Sequence, residues 1–290
     1  MIMNYSRIKQ SISVERVQKV KVAVVGAGGA HNLVLGCARS GFGNITVLDF
    51  DKVDDTNLVR QGYEQADIGK YKVDALEAKV KAINPETNYV GITKNFLDMT
   101  ESELDGVFKD ADILLFLTDS FKAQSFGNLL ALKYQKPALW AGWYAKSRTA
   151  ELFFQIPNVT PACFRCAMSS RYEANKEQEI KISSNCNTIF HSELLDSLIG
   201  IVTLGILHRD TKYRDKEAHL FYKGLEVDGK LNWNFMQFKA HPLGGNRLFD
   251  ESFKGLGRRA NNFVSCWQEV HPERKPQYPY DCPDCTTIEE

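Results

Sequence analysis

Apolar runs alternate with amphipathic stretches along the first 156 residues of this chain. Residues 22–25 (VAVV) pass into Gly26-Ala27-Gly28-Gly29 and then into an apolar-periodic stretch at residues 32–39, which predicts a strand, a glycine turn and a helix start. A second apolar run, residues 45–48, ends on Asp49 at the separation of a strand, crossover helix and parallel strand. Val73, Leu76, Val80 and Ile83 recur at helical spacing, so Lys72 falls in the first turn of an amphipathic helix. Residues 87–93 read as a short strand and residues 101–109 as a short helix. Residues 112–117 (DILLFL) are apolar enough for a parallel strand buried on both faces. A helix over 121–134 and strands over 137–142 and 150–156 complete the series. The alternation predicts an α/β fold, a doubly wound, Rossmann-like and mostly parallel sheet.

Past Pro157 the texture changes. Residues 171–184 are polar and lack periodicity, which predicts a mobile crossover loop ending at Cys186. Residues 193–208 predict a long apolar helix. Residues 219–227 and 230–239 alternate about Asp228-Gly229, the signature of a hairpin and hence of a C-terminal β extension. The expected organisation is an N-terminal arm (1–20), a core (21–160) and a C-terminal part (161–290), together forming one continuous domain.

Charge and cysteine content narrow the function. Lysine plus arginine equals aspartate plus glutamate at 36 each, so no net charge draws the chain to nucleic acid or an anionic membrane. No run of 18 apolar residues occurs and residues 1–7 lack a signal-peptide core, so a soluble, cytoplasmic protein is expected. Seven cysteines, an odd number without a secretion signal, favour metal ligands plus a reactive or buried thiol over a disulfide framework. Cys163 and Cys166 form one CxxC, Cys282 and Cys285 another. Two such pairs make a tetrahedral zinc site the economical reading, and a redox pair the alternative, though neither CxxC opens a helix after a strand. Zinc there would be structural, tying the C-terminal tail back to the central lobe.

The glycines of the first turn let the main chain approach a phosphate, and the following helix N-terminus offers free N–H groups. Asp49 is placed to accept from ribose hydroxyls. These residues alone leave dinucleotide binding open, although His31 stands where the dinucleotide fingerprint has its third glycine. Arg60 and Lys72 follow, and two cations beside a phosphate loop suit a triphosphate better than the two phosphates of NAD. Asp119 succeeds the buried run 112–117, where it could cap the next helix or bind a metal.

With these residues in view, the chain resembles the adenylation domain of the ubiquitin-activating enzyme superfamily, in particular its bacterial ThiF/MoeB-type adenylyltransferases. The pattern is met by Gly26, Gly28 and Gly29, by Asp49 and Asp51, by Asn57-Leu58 with Arg60-Gln61, by Lys72, by Asn84-Pro85 and by Thr118-Asp119. It is departed from at His31, where the family has glycine, and at Asn32, where serine is usual. The resemblance covers about residues 5 to 208 and the last CxxC. It implies ATP bound by Gly26, Gly28, Gly29, Asp49, Asp51, Asn57, Arg60, Lys72 and Asp119, with Mg2+ on Asp119, and Zn2+ on Cys163, Cys166, Cys282 and Cys285. It also implies a homodimer in which Arg7, within Tyr5-Ser6-Arg7, crosses to the partner's nucleotide. Ile8 stands here where the family has glutamine. Cys186 precedes Gly200 by the family's step, though Ser184-Asn185 replace the usual proline and threonine. Its implied role is thioester formation or sulfur transfer, with His191 and Lys181 the nearest groups able to activate it.

The implied function is ATP-dependent adenylation of the C-terminal carboxylate of a ubiquitin-like or sulfur-carrier protein with a free C-terminus. A conjugating enzyme or sulfur donor would come from a separate chain. A NAD-dependent oxidoreductase would leave Arg60, Lys72 and both CxxC pairs without a role. A non-catalytic activating-enzyme-like adaptor would have no need of Arg60, Lys72 and Asp119, while His31 speaks mildly for it. A tRNA-modifying relative is disfavoured by the neutral charge.

Overall fold

The computed structural model describes residues 3–144, 149–160, 162–178, 180, 186–231, 233–239, 264–269 and 282–285. The chain divides into two compact units, residues 1–117 with 188–224, and residues 118–187 with 225–290.

The first unit begins with α1 (Val14–Lys19), whose start is set by Ser13 accepting from the Arg16 amide. Then come β1 (Lys21–Val25), α2 (His31–Arg39), β2 (Asn44–Leu48), α3 (Lys72–Ile83) and β3 (Asn88–Ile92). α4 (Glu101–Leu104) runs into a π-helical turn at Asp105–Lys109 and leads to β4 (Ile113–Phe116). The four strands are parallel in the order β4-β1-β2-β3, with Val22 opposite both Ile45 and Ile113. Strand order therefore reverses at β1. In open parallel sheets, ligands bind in the crevice at the carboxyl ends of the strands beside such a reversal. All four residues of β4 are buried, as expected of a strand covered on both faces.

α8 (Ile189–Leu207) and α9 (Glu217–Lys223) complete this unit. α8 starts four residues before the expected position because Thr188 and His191 form a capping box there, a polar signal that hydrophobic periodicity does not report. By length and hydropathy α8 could cross a membrane. Instead, one face is buried within the unit, where it contacts α2 and α9. α9 corrects the expected strand at 219–227: Ala218, His219 and Tyr222 are its buried residues, a helical spacing that short alternation had disguised.

The second unit holds α5 (Phe121–Lys133), β5 (Ala138–Trp143), β6 (Thr149–Gln155), α6 (Phe164–Ala167) and α7 (Ser169–Ala174). The expected crossover loop therefore begins as helix, while residues 179 and 181–185 lie outside the described residues. The Asp228-Gly229 hairpin is present but short, joining β7 (Glu226–Val227) to β8 (Lys230–Leu231), with φ of 51° and 76° at its corner. β9 (Trp233–Lys239) and β10 (Val264–Glu269) form the β extension. Strand pairing here is antiparallel in the order β10-β9-β6-β5, and every residue of β6 is buried. The α/β, Rossmann-like expectation holds, with the parallel part in the first unit.

Candidate functional site

The glycine turn closes β1 at the reversal point. Gly26 has φ 97°, a left-handed conformation that strains any side chain, and its N–H donates to Leu48 O at 2.9 Å. Asp49, half-buried at the end of β2, binds this turn directly. Its Oδ2 accepts from Ala27 N at 2.7 Å and its Oδ1 from Asp51 N at 2.8 Å. Burial raises the pKa of Asp49, while Lys72 and these two N–H groups oppose the rise. Asp49 thus has a structural duty, fixing the turn to the next strand end, and each of its oxygens has further lone-pair capacity for ribose hydroxyls.

His31 is the first residue of α2 and is 1 % exposed. Its ring fits because residue 62 is glycine: a Cβ there would lie 2.5 Å from His31 Nδ1 and 3.0 Å from Asn32 Oδ1. The ring also meets Tyr63 edge-on with centroids 4.6 Å apart, and Tyr63 donates its hydroxyl proton to Ala27 O at 3.0 Å. Burial holds the His31 pKa down at about 4, so the ring is neutral near pH 7. The residue that departs from the familiar glycine is therefore accommodated by a glycine elsewhere, leaving His31 Nε2 and Gln61 Oε1 buried without hydrogen-bond partners among the described residues.

Arg60 is half-buried on the segment that follows the turn at Asp55–Asn57. Asn57 itself is buried, and its Oδ1 accepts from Asp54 N at 3.0 Å, so its first role is to shape this segment. Gln61 packs against the glycine turn, 2.9 Å from where a Cβ on Gly28 would stand. Gly29 has open space around it. Lys72 begins α3 as expected, but it is buried rather than solvated, with Nζ 2.8 Å from Asp51 Oδ2. The first unit thus brings together Gly26, Gly28, Asp49, Asp51, Asn57 and Lys72, with Arg60 on the adjoining segment.

Arg7 lies elsewhere in the same unit. Tyr5 accepts a hydrogen bond from Asn84, the residue that ends α3, and Asn84 also donates to Ala38 O near the end of α2. Lys72 and the glycine turn stand at the opposite ends of these helices. At 1.5 Å per residue, the nine residues of α2 and twelve of α3 put Tyr5, two residues before Arg7, roughly 14–18 Å along these helices from the glycine turn and Lys72.

Asp119 belongs to the second unit and is exposed. The cap of α5 is the neighbouring Ser120, whose Oγ accepts from Ala123 N at 3.3 Å, so helix capping does not account for Asp119. Cys186 is exposed with φ 77°. His191 Nδ1 lies 2.8 Å from Thr188 Oγ1 in the α8 capping box, and Lys181 is outside the described residues.

In the second unit Cys163, Cys166, Cys282 and Cys285 converge, their sulfur atoms all within 4.8 Å of one another. Adjacent sulfurs are 3.4, 3.7 and 3.6 Å apart, far beyond a disulfide bond. A tetrahedron of thiolates about 2.3 Å from zinc has edges of about 3.8 Å, so the donor set fits that metal. Asp284, inside the second CxxC, accepts from Arg165 at 2.7 Å and from Asn128 at 2.8 Å, while Asn128 Oδ1 accepts from Phe164 N inside the first. These contacts bind the two CxxC turns to each other and to α5.

Sequence reasoning missed several partners. Arg171, on α7, pairs with buried Glu151 of β6 and donates to Gln124 Oε1 at 3.3 Å, so the start of the presumed loop is anchored. Burial raises the pKa of Glu151 to about 8. Ser192 and Asp196, buried polar residues one turn apart on α8, reach the Arg60 segment and α2. Their i, i+4 spacing on a largely apolar helix was the available signal.

A profile of the ThiF family matches residues 3–225. The chain is 32% identical over 143 residues to the probable adenylyltransferase/sulfurtransferase MoeZ of Mycobacterium tuberculosis, covering 49% of this chain and 36% of that protein. It is 30% identical over 159 residues to the molybdopterin-synthase adenylyltransferase of Escherichia coli, covering 52% and 60%. It thus spans less than two thirds of the length of either relative. The crystal structure of E. coli MccB with ATP superposes with a TM-score of 0.64 at 20% identity, over 94% of this chain and 68% of MccB. At that identity the similarity is one of fold.

Proposed function

Since the chain belongs to the ThiF family, we propose that it uses ATP and magnesium to adenylate the C-terminal carboxylate of a ubiquitin-like or sulfur-carrier protein. The observation that carries this reading is the grouping of the glycine turn, Asp49, Lys72 and the Arg60 segment at the β1 reversal point. Relatives named as adenylyltransferases support it. A carboxylate oxygen attacks the α-phosphorus, an acyl–phosphate bond forms, and the bond to the β-phosphate breaks to release pyrophosphate. The protein's contribution is positioning and charge compensation.

Gly26, Gly28 and Gly29 present main-chain amides to the phosphates, and Asp49 accepts from the ribose. Arg60 and Lys72 neutralise the triphosphate, with the Asp51 carboxylate orienting the buried Lys72 ammonium. Asn57 shapes the Arg60 segment, and Asp119 is the magnesium ligand. Arg7 acts on the nucleotide of a second copy, a reading supported by the position of the neighbouring Tyr5 at the ends of α2 and α3 away from the glycine turn and Lys72. Cys186 then takes the activated acyl group: its thiolate attacks the carbonyl carbon and AMP leaves. A conjugating enzyme or sulfur donor accepts the product, and zinc on the four cysteines has a structural role.

Pyrophosphate exchange into ATP, in the presence of a ubiquitin-fold carrier with a free C-terminus, tests the assignment. Arg60→Ala and Asp119→Ala should each reduce exchange by at least about a hundredfold without unfolding the protein. Mixing Arg7→Ala with Asp119→Ala chains should restore part of it, because one site of the mixed dimer is intact. Wild-type exchange by Asp119→Ala, or tight NAD binding with none for ATP, overturns the proposal.

A further inference from the structure

We propose that Ser192 and Asp196 of α8 are positioning residues that hold the two phosphate-facing segments, the Arg60 strap and the first turn of α2, at a fixed spacing for the nucleotide. The inference rests on the ATP reading above. α8 is largely apolar, yet three of its buried positions, Ser192, Asp196 and Thr203, are polar, and the first two lie four residues apart. Residues at i and i+4 share one helix face, so both point into the same region. Ser192 Oγ donates to Arg60 O at 2.7 Å, and one turn earlier Ile189 N donates to Val59 O at 3.2 Å. Asp196 Oδ2 accepts from Leu33 N at 3.1 Å, and its carboxylate also bonds the Asn32 amide.

These contacts answer a local deficiency. The residue before α2 is Ala30, which offers no side-chain cap, so the first amides of the helix would be left without partners. Asp196 caps them from 163 positions away. Burying a carboxylate is unfavourable, whereas an alanine or leucine would serve a helix that only packs. What the polar pair adds is directionality: hydrogen bonds fix where Arg60 O and the Leu33 amide stand, and apolar contact would allow either to slide. A second consequence concerns the phosphates. With the amides of Asn32 and Leu33 occupied by a carboxylate, binding falls to the amides of the glycine turn and to Arg60 and Lys72. The spacing of those groups is what Ser192 and Asp196 control.

Calorimetric titration with MgATP and with adenosine separates positioning from general support, because adenosine lacks the phosphates. Ser192→Ala and Asp196→Ala should weaken MgATP binding by about tenfold while leaving adenosine within about twofold of wild type, the scale of one lost buried hydrogen bond. Asp196→Asn retains the acceptor oxygen and should restore MgATP binding to within about twofold. Hydrogen exchange at the Leu33 amide should accelerate in Asp196→Ala and not in Ser192→Ala. Should Asp196→Ala fail to fold, Ser192→Ala, which loses one hydroxyl, decides alone. Equal loss for both ligands, or no loss for either, overturns the positioning role while ATP binding by the wild type preserves the functional reading. A wild-type protein that binds no ATP removes both.

Discussion

Replacing His31 with leucine should flatten the acid side of the protein's stability profile. The imidazole is buried against Gly62 and Tyr63, and its pKa is held at about 4, against 6.5 for the free group. Below pH 6.5 the unfolded chain takes up a proton that the folded chain refuses. Stability is therefore complete above about pH 6.5 and is lost as pH falls towards 4. The full interval of 2.5 units corresponds to about 3 kcal/mol. Between pH 7.5 and 5 the loss specific to His31 is about 2 kcal/mol. Leucine keeps the apolar volume and removes the titration, so subtracting the two profiles cancels every other ionisable group. Urea unfolding followed by far-ultraviolet circular dichroism is the suitable assay, since all four tryptophans lie in the second unit and their fluorescence would report on that unit alone. A wild-type minus variant difference that changes by less than about 0.5 kcal/mol over this range would refute the argument that His31 is buried neutral.

Two further outcomes are expected. Elemental analysis should find one zinc per chain, lost in Cys282→Ser together with about 5 °C or more of thermal stability; a metal-free wild type with the same melting point would reject the structural role. Incubation with ATP and carrier, resolved without reducing agent, should give a thiol-sensitive adduct that disappears in Cys186→Ala while pyrophosphate exchange persists. An adduct unchanged in that variant would leave adenylation as the whole reaction.

What was legible in the sequence was local. The glycine turn, the acid ending β2, the lysine opening α3 and the two CxxC pairs each announce themselves within a few residues, and the structure puts them where periodicity indicated. What was not legible depends on partners distant in sequence. From the sequence His31 is only a departure from the family's glycine; that Gly62 supplies the space for its ring depends on a residue 31 positions away. Arg171 looked like part of a solvated loop, because its partner Glu151 is on another element. The start of α8 is set by a hydrogen-bonded cap, and α9 is short enough for helical and alternating patterns to coincide. Asp119 could be read as a cap until Ser120 was seen to fill that place.

The cysteine centre also orders events during synthesis. Cys163 and Cys282 stand 119 positions apart, so the first CxxC is translated well before the second exists. At about 5–20 residues per second the interval is on the order of ten seconds. If the four cysteines hold zinc as proposed, Cys163 and Cys166 would throughout it be a half-formed ligand set, able to hold metal only loosely and open to oxidants. Nascent chains should therefore be most vulnerable to peroxide in that window, and a fully ligated protein should be indifferent to the same dose.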